Sequence, residues 1–160
     1  METKINFHSL EHFNFIKQNV LDVINFTRGE DVAILRSKNW IYATLDDKQI
    51  LDEDARNLAC ALSGIDCDVA YFGWICEFEK EKNFDIYKFQ VDCESIVSIQ
   101  RPESPLDNMA SVVFGRYPLR FCIVRPDTFD KLLYVVGEES FVQRCCGAPG
   151  WKIFNNVTSR

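Results

Sequence analysis

Between Leu10 and Ile24 the apolar residues Leu10, Phe13, Ile16, Val20 and Ile24 recur at the spacing of one helical face, and Arg28-Gly29 follows as a stop. The pattern predicts an amphipathic helix. Val32 to Leu35 and Trp40 to Leu45 have the length of short strands, and the polar Ser37-Lys38-Asn39 between them suits a hairpin. Asp52-Glu53-Asp54 then opens a second helix, with Asp52 as its cap and the carboxylates at the positive end of the dipole. Gly64 closes it. From Asp68 to Phe78 both alternating faces are apolar through the centre, as in a strand buried in the middle of a sheet.

The charged run Glu79 to Asn83 turns the chain into a second β-like stretch, Phe84 to Val91. Its alternation shifts at Ile86-Tyr87, which predicts a bulge or a strand covered on both faces. Ile96 to Ile99, Ser111 to Phe114 and Leu119 to Val124 read as further strands, and Pro102 and Pro105 mark the longest loop. After Pro126, Asp127-Thr128 caps an expected short helix through Phe129, Leu132, Leu133 and Val136, ending at Gly137. A last helical turn or two is expected within Glu138 to Cys146, with Trp151, Ile153 and Phe154 docking the tail. Together these elements predict one α+β domain over residues 1–160: a mostly antiparallel central sheet with an N-terminal helix and other helices packed on it.

Composition agrees with a packed core. The chain has 160 residues, 47% of them hydrophobic, including 13 Phe, 5 Tyr and 3 Trp. At that length a domain buries enough surface to dispense with disulfides or metal. No stretch reaches the apolar length of a membrane span, and the first residues lack a secretory h-region, so a cytoplasmic protein is expected. Seven cysteines form an odd set without a C-x-x-C pair, which points to reduced thiols packed among apolar neighbours.

Charge narrows the class of partner. The net charge is -6, but residues 1–100 carry -8 and residues 101–160 carry +2. Such a surface repels phosphate backbones, so nucleic acid is not an expected partner, whereas a basic protein is attracted. With no apolar stretch long enough to span one, a membrane is not expected either. Asp46, Asp47, Asp54, Glu77, Glu79, Glu81 and Asp85 are the candidate contacts. Tight binding also needs an apolar anchor, for which exposed members of Tyr71, Phe72, Trp74 and Tyr87 are the candidates.

One pentapeptide matches a catalytic pattern. His8-Ser9-Leu10-Glu11-His12 fits H-x-x-E-H and holds both histidines of the chain. On a helix, imidazoles four residues apart share a face and can chelate zinc while the carboxylate activates water. Here the match falls at the helix start, with His8 projected away from the Phe13, Val20 and Ile24 stripe. Two solvent-facing histidines are therefore expected, and no catalytic residue, metal or cofactor is assigned. Neither a G-x-S-x-G elbow nor a glycine-rich phosphate loop is present.

With its acidic and aromatic stretch Asp66 to Glu94, this small acidic chain resembles the immunity proteins of bacterial toxin systems, including contact-dependent growth inhibition. The resemblance implies a non-catalytic protein that neutralises a cognate toxin, often a basic nuclease, by stoichiometric binding. A small metal-dependent hydrolase using His8, Glu11 and His12, and an adaptor domain for another basic protein, are the alternatives.

Overall fold

The computed structural model describes residues 2–29, 31–46, 49–80, 84–101, 110–127 and 132–155. Within them eight strands form one sheet: β1 (Thr3–Asn6), β2 (Ile41–Asp46), β3 (Val69–Trp74), β4 (Asp85–Gln90), β5 (Ser111–Phe114), β6 (Phe121–Arg125), β7 (Leu132–Gly137) and β8 (Trp151–Phe154). Their order is β1-β4-β3-β5-β6-β7-β2-β8, and every neighbouring pair is antiparallel. Among the described residues six α-helices accompany them: α1 (Phe13–Gly29), α2 (Ala33–Lys38), α3 (Asp52–Gly64), α4 (Ile75–Phe78), α5 (Cys93–Ser98) and α6 (Glu139–Cys145). The α+β class is as the pattern predicts.

Alternation along the strands sends apolar side chains to both faces. On β7, Leu133 and Val135 join Phe121 and Ile123 of β6 in one core, while Tyr134 and Val136 join Cys122 and Val124 in the other. Each face therefore needs a cover. Helices α3, α5 and α6 supply Leu58, Leu62, Ile96, Phe141 and Val142 to the first core. Helices α1, α2 and α4 supply Ile16, Val20, Ile24, Leu35, Ile75 and Phe78 to the second, which is rich in aromatic contacts. At its centre Phe7 stacks on Phe84 with ring centres 4.6 Å apart and meets Phe78 edge-on at 5.6 Å.

Several local expectations are overturned by this packing. The segment read as a strand at Val32 to Leu35 is the first part of α2, started where Asp31 Oδ1 accepts from Ala33 N at 3.0 Å and ended by Asn39 at φ 58°. Ile96 to Ile99 belongs to α5 and the turn after it, because Asp92 caps that helix by accepting from Ser95 N at 2.7 Å. Leu132 to Val136 is not helix but strand, and residues 128–131 lie outside the described segments. The Asp68 to Phe78 run stops being a strand at Trp74, where α4 begins.

Helix α3 has the expected bounds with a different start. Leu51 is its N-cap without a side-chain capping bond, and Asp52 takes φ 49°. On β4 the unbroken register with β1 and β3 rules out a bulge: Ile86 faces one core and Phe89 the other. Thr3–Asn6, not foreseen as a strand, closes one edge of the sheet.

One buried amide joins three elements. Gln100 Oε1 accepts from Ile50 N at 2.7 Å and from Arg125 Nη2 at 2.9 Å, while its Nε2 donates at 2.8 Å to the carbonyls of Ile50 and Ile96. Replacing it by leucine strands the Ile50 backbone pair in an apolar core. Gln100→Leu is expected to lower the unfolding free energy by about 2–3 kcal/mol, read as an earlier urea midpoint at unchanged slope. An unmoved midpoint would show that the amide is dispensable.

Candidate functional site

Because every pair in the sheet is antiparallel, the C-terminal ends of β1, β3, β6 and β2 and the N-terminal ends of β4, β5, β7 and β8 meet at one end of it. All the described candidate acids gather there. Asp46 ends β2, Asp54 lies in the first turn of α3, Glu77 lies in α4 and Glu79 just after it, beyond β3, and Asp85 begins β4. Asp47 and Glu81 lie outside the described residues.

The sheet separates these acids into two groups. Asp85 and Asp46 are five strand steps apart, about 24 Å at the usual interstrand spacing. In the first group each acid has a cation: Lys80 Nζ is 2.6 Å from Glu77, Arg28 Nη1 2.9 Å from Glu79, and Lys4 Nζ 3.2 Å from Asp85. Its hydrogen bond to Glu77 raises the pKa of the Lys80 ammonium above the ordinary value. Exposed pairs of this kind are weak enough to exchange partners. The second group concentrates Asp46, Asp52, Glu53 and Asp54, and Asp54 Oδ1 accepts from Trp151 Nε1 at 2.8 Å, fixing the start of α3 to β8.

The predicted aromatic anchors are mostly interior. Tyr71 and Phe72 are buried, and Trp74 and Tyr87 are half-buried, with Tyr87 stacked on Phe72 at 5.1 Å. Among the described residues the aromatic side chains that do reach the surface are Phe15, Tyr117 and Phe154, none of them among the candidate anchors. Their signal was partly legible: Phe15 falls off the buried Ile16, Val20 and Ile24 stripe of α1.

The H-x-x-E-H segment does not form one helical face. His8 belongs to a 3-10 turn, Phe7–Ser9, and His12 precedes α1 with φ 59°. His8 is half-buried rather than solvent-facing, its ring 4.8 Å from that of Phe13 and 5.7 Å from that of Phe84. The His12 ring lies 4.4 Å from Tyr117. No group of three or more His, Cys, Asp or Glu side chains that could hold a metal ion occurs among the described residues.

Thiol environments differ more than the sequence suggests. All seven cysteines are free; Cys60 and Cys76 are exposed rather than packed in the core, and Cys122, Cys145 and Cys146 are buried. Burial pushes the Cys122 thiol from 9.0 up to about 12, and burial together with the Asp68 charge pushes Cys67 up to about 11. A hydrogen bond with Cys145, together with burial, raises Cys146 as well.

Comparison with protein-family models, with characterised proteins and with solved structures finds no match to this chain. Among the described residues no helix is long and apolar enough to cross a membrane.

Two outcomes follow from the thiols. In the native protein Cys60 and Cys76 should react with an aromatic disulfide reagent well before the three buried cysteines, and all seven should react in denaturant without reductant. A missing thiol in the denatured count would reveal a disulfide. Since the folded values of Cys67 and Cys122 are raised, their contribution to stability is intact below pH 9.0 and is lost as pH rises toward 11 and 12. Urea unfolding across that range should show a decline that Cys122→Ala makes shallower; an unchanged decline would place its origin elsewhere.

Proposed function

We propose that this chain is a non-catalytic cytoplasmic protein that binds and neutralises a basic toxin, in the manner of bacterial immunity proteins. The observation that carries the reading is the gathering of Asp46, Asp54, Glu77, Glu79 and Asp85 at one end of the sheet, although they are spread along the sequence. A toxin nuclease presents a cationic groove to its substrate, and carboxylates held on a rigid sheet end compete for the same groove without being turned over. The two acidic groups are about 24 Å apart. A standard interface, burying about 800 Å² per partner, is broad enough to engage both.

The exposed ion pairs fit this role. Glu79 and Asp85 hold their cations in exposed pairs of small net worth, so a partner's arginine can displace Arg28 or Lys4 at little cost, whereas Glu77 is only 18% exposed. The carboxylates at the start of α3 also supply long-range attraction that speeds encounter.

The test is protection in cells and kinetics in solution. Expressed with the toxin encoded beside its own gene, the protein should restore growth, and its deletion should make cells sensitive. Asp46→Lys combined with Asp54→Lys should slow association about tenfold at low salt with little change in dissociation, as measured by surface plasmon resonance over a salt series. A salt-independent association rate, or an acidic toxin, would end the electrostatic reading. Growth that does not depend on the gene would end the immunity reading and favour an adaptor.

A further inference from the structure

Phe15 and Tyr117 are 59% and 42% exposed, more than any other large apolar side chain among the described residues. They sit together, with ring centres 5.7 Å apart. His12 lies against both, 4.4 Å from Tyr117 and 6.4 Å from Phe15. The fold does not require this grouping, since α1 already buries Ile16, Val20, Val23 and Ile24 on its other side. Beside the rings opens a cleft of about 280 Å³, with Glu11, Tyr71 and Arg116 among its walls. That volume falls just short of an ordinary small-molecule pocket and suits one long inserted side chain.

Charge around the cluster selects that side chain. The Glu11 carboxylate is 90% exposed and lies 3.7 Å from His12 Nε2. Arg116, on the other side, is 4.0 Å from Asp68, which belongs to the neighbouring cleft beyond the Tyr117-Pro118 turn. The two cations of α1 are drawn away: Lys17 donates to the Lys80 carbonyl at 2.6 Å, and Arg28 pairs with Glu79. With Arg116 offset by Asp68, Glu11 leaves one negative charge in excess beside the rings. The Lys17 contact also ties α1 to the Glu77–Lys80 segment, so α1 links the rings, which lie beyond the β5–β6 connection, to the acids at the other end of the sheet.

We infer that the Phe15–His12–Tyr117 cluster is the anchor of the partner interface and receives an arginine side chain from a basic partner protein. The planar guanidinium stacks on the Tyr117 and Phe15 rings and pairs with Glu11, a geometry that a lysine ammonium fills less well. The inference rests on the basic-partner reading above but concerns residues that the acidic reading does not use.

The isotope-labelled full chain is titrated with acetyl-Gly-Arg-Gly-amide, its lysine and glutamate counterparts serving as controls, and backbone amide shifts are followed by NMR. The arginine peptide should move the amides of Phe15 and Tyr117 saturably, the lysine peptide less, and the glutamate peptide not at all. Phe15→Ala and Tyr117→Ala, both at exposed positions, should each weaken the arginine peptide about threefold, and Glu11→Lys should weaken it further while the remaining spectrum stays native. No saturable shift at the cluster, equal shifts from the glutamate peptide, or full affinity in both alanine variants would overturn the inference. Shifts confined to residues 46–54 or 77–85 would also overturn it while leaving the basic-partner reading in place. Saturable arginine binding at the cluster beside a toxin that associates without regard to salt would do the reverse.

Discussion

An antiparallel sheet that is apolar on both sides cannot stop at two layers. In strands β3, β5, β6 and β7 consecutive residues alternate between the two cores, so leaving either face open would expose a wide apolar surface to water. That constraint explains why even short segments between strands become helices: α2 and α4 are only six and four residues long, yet Leu35, Ile75 and Phe78 are each buried. Neither is long enough to be stable alone. They are helical because the second core needs their side chains.

Covering both faces puts polar backbone into the interior, and the structure answers with a few well-satisfied groups. Gln100 serves the backbone of Ile50 on the way into α3, the carbonyl of Ile96 in α5, and Arg125 at the end of β6. Among the described residues no buried side-chain nitrogen or oxygen lacks a partner. A complete set of bonds makes such a group a specifying contact, fixing where the helices of one layer sit on the sheet.

The same two-sided burial decided what could be read from the sequence. Helix α3 was legible because its acids and Gly64 mark both ends, and β2 because Ile41, Ala43 and Leu45 alternate with more exposed residues. Leu132 to Val136 misled because a continuous apolar run fits a doubly covered strand and a buried helix equally well. In α2 and α5 the β-branched residues suggested strands, and the single polar groups that favour helix, Asp31 and Asp92, stand outside the apolar runs on which that reading rested. For the candidate site, the acids were legible one by one but their common end was not. It follows from a strand order in which β2, early in the chain, lies between β7 and β8.

That strand order bears on how the proposed partner is held. Placing β2 and β8 at one side and β1 and β4 at the other spreads the carboxylates over most of the sheet's width, a distribution suited to attraction at a distance rather than to one tight pocket. Exposed carboxylates remain hydrated and contribute more to encounter than to residence. Residence depends on side chains that exclude water, and these must lie away from the densest charge, where desolvation would cost most. Phe15 and Tyr117 satisfy that condition: they meet beyond the ends of β5 and β6 opposite the acids, and α1 carries the surface between the two regions. In the proposed complex, fast capture and slow release then fall to different residues, at opposite ends of the sheet.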